Sequence, residues 1–189
     1  MKYAFIIGFF VMVGAQWYVP LTMIFGVEEA MDEGVEYKFK TAPIDPSDPF
    51  RGKYVTLSFE AETYYGKDSD TLFTPGQTVY AVIMEDSAGF ASIIQVLPDP
   101  PDVPLDYFEA TYSYGTGPMM LQFPFNRFYV EESKASEAEQ LYWQNNRTDN
   151  PAVCYAKVTV YKGTATLTDV MIGERSIVEL VESMNATED

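Results

Sequence analysis

From Tyr3 to Val27 the chain carries no charged side chain, a run of 25 residues reading YAFIIGFFVMVGAQWYVPLTMIFGV. So much apolar surface on one segment has to be covered by protein or by lipid. About 20 apolar residues suffice for a helix to cross the hydrocarbon core of a bilayer. Gln16, Pro20 and Thr22 dilute the run, while Trp17 and Tyr18 suit the aromatic belt of a membrane interface. Lys2 and the amino terminus favour a cytoplasmic N-terminus, which puts Glu28, Glu29, Asp32 and Glu33 outside. The expectation is a retained transmembrane anchor over 1–27 and an acidic domain over 28–189 on the extracytoplasmic, periplasmic side. Two readings compete with it. Residues 1–15 have the form of a secretory signal, with Val13-Gly14-Ala15 as a small-residue cleavage site; alternatively, the run is a buried helix of a cytoplasmic protein. Apolar residues continue past Ala15 through Trp17, Val19, Leu21, Met23, Ile24 and Phe25, which favours the retained anchor.

Charge narrows the partners. Beyond the anchor, 28 acids face 11 bases, and the whole chain stands at −16. Such a surface repels phosphate backbones, so nucleic acid is excluded as a natural partner. The absence of histidine removes the commonest general base and the commonest transition-metal ligand. The single cysteine, Cys154, rules out an intramolecular disulfide and, in its apolar stretch, reads as a small buried hydrophobe. No cofactor motif is present.

The remainder alternates like a sheet protein. Val27–Glu33, closed by Gly34, continues the helix, and VEYKFK (35–40) alternates as a strand. After a proline-rich loop, KYVTLSFEA (53–61) puts Val55, Leu57, Phe59 and Ala61 on one face. Val79–Met84 and Phe90–Leu97 read as a hairpin, PDPPDVP (98–104) as a stiff connector, and Tyr107–Tyr114 as a strand. Met119–Val130 is apolar but broken by Pro124. Ser133–Asn145 has the stripe of a helix (Ala135, Ala138, Leu141, Tyr142), with Ser133 or Ser136 as its cap. Val153–Tyr161 and Thr164–Ile172 form a hairpin across Lys162-Gly163, with Val158 and Val160 facing Leu167 and Ala165. Ser176–Val181 reads as a last strand. The fold class is therefore mainly β (α+β): an N-terminal transmembrane helix, then an antiparallel β-rich domain with one short helix. Each half has an apolar segment after an arginine (Arg51, Arg127) and later a long hairpin, which suggests two similar β-lobes.

DPFRGKYVTLSF (48–59) resembles the signature of the GDYXXLXY family, with Gly52, Tyr54 and Leu57 in place. Lys53 stands where the pattern has Asp, and Phe59 where it has Tyr. LQFPFNRFYVEE (121–132) and KVTVYKGTATLTDVMIG (157–173) are also similar to the family. The resemblance implies a bacterial, membrane-associated protein, and it brings no catalytic residue with it.

The residues that invite a binding role are Arg51 with Tyr54, and Arg127 with Tyr129, Glu131 and Glu132, which pair charge with aromatic rings near strand ends. Ion pairs that support the loops explain the same residues. Asp45 and Asp48, Asp68 and Asp70, and Asp99 and Asp102 offer oxygen ligands for a hard cation such as Ca²⁺, a third reading being a calcium-stabilised envelope protein; none follows the calcium-loop pattern, and turn chemistry explains the same residues. The function expected is a membrane-anchored accessory or protein-interaction domain that contacts an integral-membrane or envelope protein, with no catalytic or metal residues. The alternative is an envelope hydrolase with an unconventional Ser/Lys or carboxylate site.

Overall fold

The computed structural model describes residues 2–42, 54–66, 73–115, 118–146 and 153–188; side chains at 2–5, 19, 23–32, 132–133 and 186–188 lie outside the described set. Arg51, Gly52 and the Asp45/Asp48 and Asp68/Asp70 pairs also lie outside it. A long helix α1 (Lys2–Glu33) leads into strand β1 (Val35–Lys40). Then come β2 (Tyr54–Thr56), a single 3-10 turn (Glu60–Glu62), β3 (Thr63–Tyr64), β4 (Thr78–Glu85) and β5 (Ala91–Leu97). They are followed by β6 (Tyr107–Tyr114), β7 (Met119–Gln122), β8 (Arg127–Tyr129) and helix α2 (Glu132–Asn145). The chain closes with β9 (Cys154–Tyr161), β10 (Thr164–Ile172), β11 (Arg175–Ser176) and helix α3 (Ile177–Glu188).

These strands make an antiparallel, β-rich fold of three sheets. Four strands are ordered β1-β9-β10-β11, five are ordered β3-β7-β6-β4-β5, and β2 pairs with β8. Strands from the two halves of the chain are interleaved. β1 pairs with β9, β2 with β8 and β3 with β7, so the halves do not form two separate lobes. The reason lies in burial: Tyr37 and Phe39 of β1 are buried, and the apolar face they need is supplied by β9 (Ala156, Val158, Val160).

Five phenylalanines form the centre of the core. Phe39, Phe59, Phe108, Phe123 and Phe125 are all nearly or fully buried. Their ring centroids lie 5.0 to 6.0 Å apart, mostly edge-on or tilted, the arrangement that ring quadrupoles prefer. Exposed Pro124 ends β7 and lets Phe123 and Phe125 both enter this cluster. The alternation over 53–61 holds for burial, since Val55, Leu57 and Phe59 are all inside. The strand itself is shorter than expected. It stops at Thr56, where Leu57 N–H turns to the Asn126 carbonyl (2.9 Å), and Phe59 makes only an isolated bridge with Thr41.

The C-terminal hairpin has the expected register, with Val160 opposite Ala165 and Val158 opposite Leu167. Lys162 and Gly163 both have positive φ (46° and 87°), which makes a type I′ turn. The turn is also where the two large sheets meet, because Gly163 bridges Phe108 and its carbonyl accepts Glu109 N–H at 3.0 Å. A Cβ on Gly163 would stand 2.8 Å from the Tyr107 ring. Gly163→Ala is therefore expected to cost at least about 1 kcal/mol from its backbone conformation alone, and more as the ring is displaced. Thermal unfolding checks this; an unchanged melting temperature would show that the turn does not hold the sheets together.

Two further expectations are corrected. Residues 177–181 are helical rather than a strand. Ile177 and Val181 are buried one turn apart, Ser176 Oγ accepts Val178 N–H (3.2 Å) as a cap, and Glu179 suits the first turn. α3 is tied to α2 by Lys134–Glu182 (2.9 Å) and by the Asn185 amide, which donates to Glu137 at 3.1 Å. α2 begins at Glu132 with neither Ser133 nor Ser136 as cap; Glu131 takes that position, with no side-chain cap bond. Its stripe is as expected, with Ala135, Ala138 and Tyr142 buried.

α1 presents exposed Ile6, Ile7, Phe9, Phe10, Val11, Met12, Trp17, Tyr18 and Leu21. Among the described residues no helix is long and apolar enough to cross a membrane. Its C-terminal end is fastened to the domain by the Tyr161 hydroxyl, which donates to Glu33 at 2.6 Å.

Candidate functional site

β2 and β8 form a two-stranded ribbon with Tyr54 opposite Tyr129, Val55 opposite Phe128 and Thr56 opposite Arg127. Because side chains alternate, Val55 and Phe128 turn inward to the core while Tyr54, Tyr129 and Arg127 share the outer face. The two tyrosine rings lie 5.6 Å apart at 60°, and the Arg127 guanidinium sits 5.0 Å from the Tyr54 ring centroid. An exposed cation over a ring contributes about 0.5–1 kcal/mol, enough to hold the arginine in place without burying it. Tyr129 remains 68% exposed.

Arg127 also borders a cleft of about 360 Å³ that includes Thr78, Glu109, Thr111, Gln122 and Asn126. Its floor follows from register. Thr78 pairs with Thr111 and Thr111 with Gln122, so three polar side chains align across β4, β6 and β7 on the outward face. The ribbon thus joins two rings and a positive charge to a row of hydroxyl, amide and carboxylate groups.

Of the residues singled out in the sequence, the structure brings Tyr54, Arg127 and Tyr129 together. Arg51 lies outside the described residues; Glu132 opens α2, with its side chain outside them. The neighbouring Glu131 faces Lys134 at 3.6 Å. The polar row is what sequence reasoning leaves out of the site. Its signal is outward alternation on strands that meet only through non-local pairing.

Burial pushes the Cys154 thiol up to about 11, so at neutral pH it is a protonated, buried group rather than a nucleophile. Burial, and next the 2.6 Å hydrogen bond that Tyr37 donates to Asp106, hold the Tyr37 phenol well above the usual tyrosine range. Asn146 closes α2 by donating to the Ala42 carbonyl and the Tyr142 hydroxyl, both at 2.8 Å. Lys38, Lys40 and Lys162 lie over aromatic rings, and Lys134 and Lys157 face carboxylates. Among the described residues no group of three or more Cys, Asp or Glu is placed to hold a metal.

The family model described as GDYXXLXY protein matches residues 16–170. The chain belongs to the GDYXXLXY family. No curated protein and no solved structure matches it. The geometry gives the GDYXXLXY signature a physical reading in this chain. Tyr54 is its outward ring, on the ribbon, while Leu57 and Phe59 anchor the stretch from inside. Phe59 stands at the signature's last tyrosine position and is 2% exposed among the other core phenylalanines, where a hydroxyl would need a partner.

Proposed function

We propose that this GDYXXLXY protein is a membrane-anchored interaction domain, its bulk extracytoplasmic, that contacts an integral-membrane or envelope protein through Tyr54, Tyr129 and Arg127. The observation that carries this reading is the ribbon face itself. Tyrosine and arginine are the residue types that dominate binding energy at protein interfaces, and here they are clustered and ordered by each other, with Tyr129 and Arg127 exposed and Tyr54 half-buried. The anchor is supported by α1. Its exposed residues Ile6, Ile7, Phe9, Phe10, Val11 and Met12 cover every side of the helix, a pattern suited to lipid and costly in water. The uncharged run from Tyr3 to Val27 supports the same reading.

One experiment tests both parts. A photo-crosslinking residue at Tyr129 is expected to capture a membrane protein in carbonate-washed membranes, while the same residue at Tyr114, also exposed, is not. Arg127→Ala is expected to cut the Tyr129 crosslink at least about tenfold and to leave the melting temperature nearly unchanged, since an exposed contact of this kind adds little stability. Equal capture at Tyr114, or loss of the crosslink only in step with lost stability, sinks the interface. Release of the parent protein by the carbonate wash sinks the anchor.

A further inference from the structure

The five-stranded sheet has β3 at one edge and β5 at the other, yet these two edges stand across a single groove. The Tyr64 hydroxyl of β3 reaches over and donates to the Ile94 carbonyl of β5 at 3.2 Å. The two edges therefore face each other across this groove, tied at one point by the Tyr64 side chain. A strand added to β5 would lie about 4.8 Å from it. The groove holds about 600 Å³, with Ala91, Ile93 and Ile94 along one wall and Tyr64 and Tyr65 along the other.

We propose that this groove takes an extended, basic segment of a partner protein, added to β5 as a sixth strand. Natural edges are protected by lysine, proline, an inward charge or a bulge. β5 reads ASIIQVL, with no charge and no proline; its one such device is a register shift of its own, a bulge at Ile94. That shift leaves Ile94 42% exposed, opposite Tyr65 at 80%. An apolar, β-branched edge with an aromatic wall is a site for main-chain pairing plus alternate side-chain contacts.

Charge selects the occupant. Glu60 and Asp86 line the groove, and its one lysine, Lys40, lies 4.6 Å over the Phe90 ring. A second copy of this chain, at −16, would bring like charge to like, whereas a strand carrying lysine or arginine meets carboxylates. The groove shares no residue with the Tyr54–Arg127–Tyr129 face, and the inference stands without it.

The test uses the full chain in lipid nanodiscs and a blocked synthetic heptapeptide alternating lysine and valine. Hydrogen exchange across Ala91–Leu97 is expected to slow roughly tenfold at about 1 mM peptide. The same peptide N-methylated at alternate residues, which removes its main-chain donors, is expected to give no protection, and neither is its glutamate counterpart. Glu60→Lys, an exposed change, is expected to weaken the lysine peptide several-fold with an unaltered melting temperature. Equal protection by the N-methylated peptide overturns strand addition, and equal protection by the glutamate peptide overturns the basic partner. Absence of protection overturns the site. Concentration-dependent protection of β5 without any peptide assigns the groove to a second copy and overturns it too.

Discussion

Phe39→Ala is expected to destabilise the domain by about 3–5 kcal/mol, the range for deleting a fully buried aromatic ring. Phe39 is 0% exposed, and its ring lies within 6.0 Å of four others, Phe59, Phe108, Phe123 and Phe125. Those rings come from the 3-10 turn region, β6 and the β7–β8 connection, so they cannot all follow one another into the vacancy. Domains are stable by only about 5–15 kcal/mol in total, so this one truncation removes about a fifth of the margin or more. Urea unfolding measures it. A cost under about 1 kcal/mol would mean that the phenylalanine cluster is not the centre of the core.

Val158→Pro is expected to abolish the fold. Val158 is 0% exposed in β9, flanked by Tyr37 of β1 on one side and Leu167 of β10 on the other. Proline removes a ladder donor and its ring intrudes on the strand, at about 3 kcal/mol or more, in addition to the packing lost. Val158→Ala separates the two effects, because it removes about two methyl groups' worth of burial, near 2 kcal/mol, and leaves the ladder intact. Circular dichroism and amide exchange are expected to show a folded alanine variant and an unfolded proline variant. Equal losses in the two would deny β9 its central place.

What the sequence made legible was local. Alternation placed Val55, Leu57 and Phe59 inside, and the Lys162-Gly163 turn set the β9–β10 register as far as Leu167, beyond which a bulge at Thr168 shifts it by one. What stayed hidden depended on distant partners. Ile177, Val178, Leu180 and Val181 satisfy a strand as readily as a helix, and only the Ser176 cap and the surface of α2 decide between them. The site divides in the same way. Tyr54 and Arg127 stand out as charge and aromaticity at strand ends, but their meeting requires the β2–β8 pairing. The Thr78–Thr111–Gln122 row requires three strands in register, and no local pattern announces it.

The pairing of β1 with β9 also sets an order of events for a chain made from its amino terminus. β1 emerges directly after α1, yet Val35 finds its opposite number only at Val160. Loop closure over that distance is entropically expensive, whereas the β9–β10 hairpin needs only its own two-residue turn. The first strand synthesised therefore waits for nearly the whole chain and docks on a hairpin already formed. Until then its buried face, Tyr37 and Phe39, stays open to wrong partners, which makes the interval between synthesis of β1 and of β9 the period when this protein most needs a chaperone.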